Sequence, residues 1–214
     1  MATLPACAAN LASRLRTTGS ARQLVTVEAA DWTTTYAEVE LWQKVGGCWE
    51  PVAGPWSARI GENGFSDQHR EGDGTTPTGM YRVGPVMYGN APNPGVHEQY
   101  VRLQCGDWWD EDPTSAEYNT FQEVPCNATP SFSGGSEALW KETAPYPSFA
   151  VIDFNTGPVV PYAGSAIFFH ADIGTATNGC VSVPLSDLDR ALDWIQPSQD
   201  PVFVMGPAQE IAGF

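Results

Sequence analysis

The sequence predicts a mostly β fold, a sandwich or curled mixed sheet with one main helix, and three observations carry that prediction. Glycine (21 residues) and proline (18) are spread along the whole chain and interrupt short runs rich in Val, Ile, Phe, Tyr and Trp. Several of those runs alternate apolar and polar residues, the period of a strand with one buried face. A clear helical period occurs in one place, from Ser186 to Ile195. With 214 residues the chain suffices for one well-buried core. We divide it into an N-terminal arm (1–22), a main domain (23–206) and a C-terminal tail (207–214).

Taken in order, the arm holds a short helical piece around Asn10 to Arg16. QLVTVEA, from Gln23, and YAEVELWQKV, from Tyr36, alternate as half-buried strands. Gly46-Gly47 then supplies a hairpin turn into a strand from Cys48 to Val52. The stretch GENGFSDQHREGDGTTPTGMYRVG is dominated by turn formers and ends in a strand from Gly79 to Val83; within it, Asp73 reads as a turn residue. Residues 88–147 read as a long loop region carrying Trp108-Trp109, with a weakly supported helix from Ser136 to Lys141. FAVIDF, from Phe149, and AIFFH, from Ala166, are continuous apolar runs suited to strands buried on both faces. Ser186 is placed to cap the main helix, Asp187 and Asp189 favour its positive end, and Leu188, Leu192 and Ile195 share one side. PVFVM, from Pro201, is the last strand.

Charge narrows the function. Ten Lys and Arg against 25 Asp and Glu give a formal charge of -15, which excludes a nucleic-acid partner, because phosphate binding needs clustered cations. No stretch approaches the roughly 18 to 20 apolar residues of a spanning helix. The opening MATLPACAANLASRLRTTG lacks the apolar centre of a signal peptide, so the expectation is an exported protein whose export signal was removed ahead of Met1.

Cysteines sharpen that expectation. Five are present, and Cys105 and Cys126 flank GDWWDEDPTSAEYNTF, a loop whose closure by a disulfide stabilises by about 3 kcal/mol. Cys7 and Cys48 then tie the arm to the early β region, and Cys180 remains unpaired. Five reduced cysteines in a cytosolic protein are the alternative.

Cys180 lies in AIFFHADIGTATNGCVSVP, ten residues after His170. A thiol is a good nucleophile only as thiolate, and a nearby imidazole can take its proton. Strand, loop and strand can fold back to join the two. Gly179 admits substrate close to the backbone. The N–H groups around Gly179 and Cys180 are candidate oxyanion donors, typically worth about 3 kcal/mol in barrier. Gly174, Thr175, Ala176 and Thr177 leave room for a peptide.

The same segment resembles the catalytic motif of the L,D-transpeptidase (YkuD-type) family, in which a strand ending in His leads through a loop to a Ser-His-Gly-Cys type signature. REGDGTTPTGMYRVG (from Arg70), PYAGSAIFFH and CVSVPLSDLDRALDWI are similar to the family's flanking stretches, and the likeness spans roughly residues 20–206. The resemblance implies a YkuD-like fold, Cys180 as nucleophile, His170 as general base and Gly179 as the glycine before the nucleophile. Asn178 stands where many members have His, and Ser182 where many have Arg. The implied activity is acyl transfer on peptidoglycan stem peptides: a thioester on Cys180, release of D-alanine, and a crosslink.

That reading needs no cofactor and no metal, and it expects a monomeric bacterial protein, secreted or cell-wall associated. Candidate substrate-binding residues are Thr177, Ser182, Tyr88, Trp108 and Trp109, the tryptophans as a stacking platform or lid beside Asp107, Asp110 and Glu111. Three other readings remain beside it. One is an L,D-carboxypeptidase using water as acceptor; another is a wall-binding module with a dead site. The third, a zinc peptidase built from His69, His97 and His170, lacks ligand spacing.

Overall fold

The computed structural model describes residues 6–133 and 135–214; residues 1–5, the start of the stretch read for an export signal, and Gly134 lie outside the described residues. A four-residue helix, α1 (Leu11–Arg14), precedes strands β1 (Gln23–Ala29), β2 (Tyr36–Val45), β3 (Cys48–Arg59), β4 (Phe65–Ser66), β5 (Thr76–Pro77), β6 (Gly79–Gly89) and β7 (Gln99–Arg102). Then come β8 (Asp107–Asp110), β9 (Thr120–Glu123), β10 (Glu137–Ala138), β11 (Phe149–Ile152), β12 (Phe168–Ala171), β13 (Val181–Val183), helix α2 (Leu185–Trp194) and β14 (Val202–Pro207). The fold class is as the sequence predicts.

The main sheet runs β11-β12-β13-β3-β2-β1-β14-β6-β7, and a further pairing of β11 with β6 curls it into a barrel-like ring. Pairs β1–β14, β12–β13 and β6–β7 are parallel and the others antiparallel, so the sheet is mixed. Closure hides backbone edges that an open sheet would leave unpaired. Alternate residues of β12 serve two cores: Phe169 and Ala171 join the larger one, with Val25, Leu41 and Phe203, while Phe168 joins a second with Phe149, Trp109 and Cys180.

Strands β1 and β2 occupy the expected residues, and Gly46 and Gly47, both at positive φ, make the hairpin that pairs Val45 with Cys48. β3 runs well past Val52 despite Pro51 and Pro55, because its ladder with β2 is irregular between Val39 and Trp42 and absorbs them. Residues 88–147 are not one loop. They hold β7 and a small sheet ordered β10-β8-β9, and Ser136 to Lys141 gives β10 and a single 3-10 turn, Leu139–Lys141, in place of a helix. The strand expected from Ala166 begins at Phe168, since Ala166 sits at φ 53, outside the extended range.

Helix α2 starts one residue earlier than expected. The Pro184 carbonyl accepts from the N–H groups of Asp187 and Leu188, both at 2.9 Å, so the backbone begins the helix and Ser186 falls inside its first turn. Leu188, Ala191, Leu192 and Ile195 are buried in the larger core.

Both disulfides pair as expected, Cys7 with Cys48 and Cys105 with Cys126, and Cys180 is free. The arm and tail pack together: Leu11, Ala12 and Ile211 share a third core with Trp42 and Trp49. Backbone bonds from Arg16 to Ala212 (3.0 Å) and from Thr17 to Phe214 (3.1 Å) lace them. Among the described residues no helix is long and apolar enough to cross a membrane.

Candidate active site

The parallel register of β12 and β13 pairs Phe169 with Val181 and His170 with Ser182. Cys180 lies two residues before Ser182, so strand alternation sends its side chain to the same face as Ser182 and His170. The sequence interval between His170 and Cys180 is therefore spent on a crossover that returns the chain beside its starting strand. Both residues line one cavity of about 220 Å³, together with Tyr146, Thr177, Asn178 and Ser182.

His170 is 6% exposed. Its Nδ1 lies 2.9 Å from the Ala171 carbonyl oxygen, an acceptor only, so Nδ1–H donates there and Nε2 is left as the proton-accepting nitrogen. Burial lowers its pKa to about 4, which keeps the ring neutral near pH 7. The Tyr146 ring meets it edge-on at 5.4 Å between centroids.

Cys180 is 9% exposed. Its thiol donates to the Ala166 carbonyl at 3.2 Å, and its sulfur accepts from the Phe168 N–H at 3.3 Å. No hydrogen bond joins it to His170 among the described residues. Burial pushes the thiol pKa up, and the Glu137 and Glu111 charges push the same way. The thiolate–imidazole pair expected from the sequence is thus absent in this state: a sulfur set among apolar groups and carboxylates keeps its proton.

Two threonines fix the loop before Cys180. Thr76 Oγ1 donates to the Gly179 carbonyl at 2.8 Å and accepts from the Gly61 N–H at 2.8 Å, which explains the place of TTPTG beside the site. Thr177 Oγ1 donates to the Cys180 carbonyl at 2.6 Å and accepts from the Gly179 N–H at 3.2 Å. The Gly179 N–H is therefore engaged and not free for an oxyanion, a correction to the pair of donors expected from sequence. Gly179 itself has φ 139, and a Cβ there would lie 2.9 Å from the Thr75 carbonyl oxygen.

A second cavity, of about 360 Å³, reaches the sulfur from another side. Glu62, His69, Glu71, Glu111 and Glu137 line it, and Asn178 borders both cavities. His69 Nδ1 lies 3.0 Å from Thr75 Oγ1 and 3.1 Å from Asp73 Oδ1. Burial lowers the His69 pKa, with Asp73 opposing. Asp73 also accepts from the Arg70 N–H at 2.8 Å and the Thr75 N–H at 2.9 Å, so it forms the expected turn and holds a histidine as well. Glu71 accepts from Ser165 Oγ (2.7 Å) and from the Tyr118 hydroxyl, and Glu137 accepts from the Tyr146 hydroxyl (2.7 Å).

Of the candidate substrate-binding residues, Thr177 and Ser182 lie at the cavity with His170, whereas Tyr88, Trp108 and Trp109 line neither cavity. Tyr88 stacks on Phe149 at 5.4 Å, Trp109 is buried with its Nε1–H on Asn119, and Trp108 packs edge-on against Phe132 and Trp140. They brace the small sheet against the second core. Sequence reasoning missed His69, Glu71, Glu137 and Tyr146 as residues that share a cavity with Cys180; a carboxylate among turn formers carries no mark of its later place. His97 is exposed and lines neither cavity, and no group of three His, Cys, Asp or Glu could hold a metal ion among the described residues.

A family model, YkuD, the L,D-transpeptidase catalytic domain, matches residues 40–204, and the chain belongs to that family. No curated protein and no solved structure matches it. Membership supports an enzyme of the L,D-transpeptidase kind with peptidoglycan as its target, and two disulfides fit an extracytoplasmic protein.

Proposed function

We propose that this protein is a cysteine acyltransferase of bacterial peptidoglycan, exported and monomeric, which joins stem peptides through a thioester on Cys180. One observation carries the reading: the single free cysteine, one residue ahead of β13, and a neutral histidine with a free Nε2 on the neighbouring parallel strand β12 line one cavity. Cys180 Sγ attacks the carbonyl of the stem's diamino-acid residue, and His170 Nε2 takes the thiol proton as the C–S bond forms. The tetrahedral intermediate collapses with that proton passing to the departing D-alanine nitrogen. An amine of a second stem then displaces the thiol and makes the crosslink. The Cys180 N–H is the backbone donor for the oxyanion, and Thr177, Asn178 and Ser182 contact the peptide.

The test is incubation with a defined stem tetrapeptide, with and without an amine acceptor, read by mass. D-Alanine release with a crosslinked product supports the proposal, whereas a tripeptide alone in the presence of acceptor identifies an L,D-carboxypeptidase. Cys180→Ala abolishes D-alanine release and His170→Ala nearly does so; full activity in either variant ends the reading.

A further inference from the structure

The smaller cavity, the one that holds His170, contains a hydroxyl with nothing to bond. Thr177 Oγ1 is engaged by the Cys180 carbonyl and the Gly179 N–H, the Tyr146 hydroxyl donates to Glu137, and Thr175 is exposed. Ser182 differs from all three. The residue is 1% exposed, and its Oγ finds no hydrogen-bond partner among the described residues. A buried hydroxyl without a partner destabilises the folded chain, so this one points to a group that arrives from outside. Cys180 is also buried at rest, 9% exposed. The opening that admits substrate to the sulfur therefore uncovers Ser182 as well, two residues further along the same face.

Strand register says what that group is. Ser182 pairs with His170 across β12 and β13, so their side chains stand side by side, and His170 Nε2 is left free because Nδ1 is held by the Ala171 carbonyl. No hydrogen bond joins the two among the described residues. A small nucleophile with two hydrogens on one atom satisfies both: one hydrogen goes to Nε2, the other to Oγ, and a lone pair faces the carbonyl carbon. We infer that Ser182 Oγ positions the nucleophile that resolves the thioester, an amine nitrogen or a water oxygen, beside His170 Nε2. As the new bond to carbon forms, the proton passes to Nε2; as the intermediate collapses, the C–S bond breaks and Nε2 returns the proton to Cys180 Sγ. The inference rests on the proposed thioester and assigns Ser182 to the second half of the reaction. In the first half the nucleophile is the thiol, which Ala166 and Phe168 already hold.

The experiment mixes the unmodified protein and Ser182→Ala with saturating stem tetrapeptide in a rapid quench, with and without an amine acceptor. The first D-alanine released and the thioester on Cys180 are followed by mass. Ser182→Ala is expected to slow thioester decay about tenfold more than it slows the first release, so that the thioester accumulates. Hydroxylamine, whose attack on a thioester needs no base, is the control. Equal cleavage by hydroxylamine in both proteins supports the inference, and slower cleavage in Ser182→Ala marks a disturbed site and overturns it. Urea unfolding is expected to place Ser182→Ala at or above the unmodified chain, since the change deletes a hydroxyl without a partner. A lower midpoint makes Ser182 structural and overturns the inference. Decay and first release slowed alike, or neither slowed, overturn the inference and leave the proposed reaction standing. Absence of any thioester in the unmodified protein sinks both.

Discussion

The hydroxyl of Thr76 holds the carbonyl of Gly179 at 2.8 Å across 103 residues of chain, and this bond fixes the backbone just ahead of Cys180. Thr76 is fully buried, so its hydroxyl has no water to turn to. Replacing it with valine leaves the Gly179 carbonyl and the Gly61 N–H without that partner. Thr76→Val is expected to lose about 1–3 kcal/mol of stability, measured by urea unfolding, and to slow D-alanine release at saturating peptide. Unchanged release would show that the loop is held by other means.

Gly179 answers to a different constraint. At φ 139, with the Thr75 carbonyl 2.9 Å from where a Cβ would stand, alanine is strained by conformation and by contact together. Gly179→Ala is expected to cost about 1–3 kcal/mol in the same assay and to displace the sulfur from its bonds with Ala166 and Phe168. Iodoacetamide labelling of Cys180, followed by mass, reports that displacement as a changed rate.

Burial first, and then the charges around it, set the resting reactivity of the thiol. Glu137 raises the Cys180 pKa, second only to burial, so Glu137→Gln removes an opposing charge while keeping an acceptor for Tyr146. Alkylation at about pH 8 is expected to quicken roughly threefold to tenfold, in proportion to the added thiolate. A slower reaction would contradict the electrostatic account.

Acid acts on the fold through His170. Its pKa is about 4 in the folded chain against 6.5 for the free side chain, so between those values the unfolded chain binds a proton that the folded one does not. The contribution is whole above the unfolded value and falls away as pH drops toward 4, by about 3 kcal/mol in all. His170→Gln lacks this slope. The difference in unfolding free energy between the two proteins is expected to move against the unmodified chain as pH falls, and parallel curves would refute the assignment.

The Cys105–Cys126 bridge closes a separation of 21 residues around β8 and β9. Double replacement with serine is expected to cost about 3 kcal/mol, read by denaturant, with the loss centred on the small sheet. Peptide mapping without reduction checks the pairing directly.

Much of the fold was legible where one physical signal dominated. β1 and β2 end where the sequence places them; β2 alternates from Tyr36 to Leu41, while β1 is buried at every position but Glu28 and so is a central strand and not the half-buried one expected. The strands of residues 88–147 were not, because segments of two to four residues such as β10 or β8 are too short to show a period and owe their form to partners elsewhere in the chain. At the site, Cys180 and His170 were legible because they bracket one loop. Glu71, Glu111 and Glu137 line the same cavity as Cys180 from a turn, the end of β8 and β10, and no local pattern tells a carboxylate that will face a cavity from one left in water. Tyr88 and Trp109 drew attention as large aromatics, and the structure uses them as filling.

Around the barrel the joints differ in strength. β2 and β3 stay zipped from Tyr36 opposite Arg59 to Val45 opposite Cys48, whereas β13 meets β3 at the single pair Ser182 and Arg59. That joint has the fewest paired residues in the ring, so opening of the wall is expected to begin there, two residues from the sulfur. Deuterium is accordingly expected to enter Val181 and its neighbours before β1, which would make the stave beside Cys180 the most loosely set.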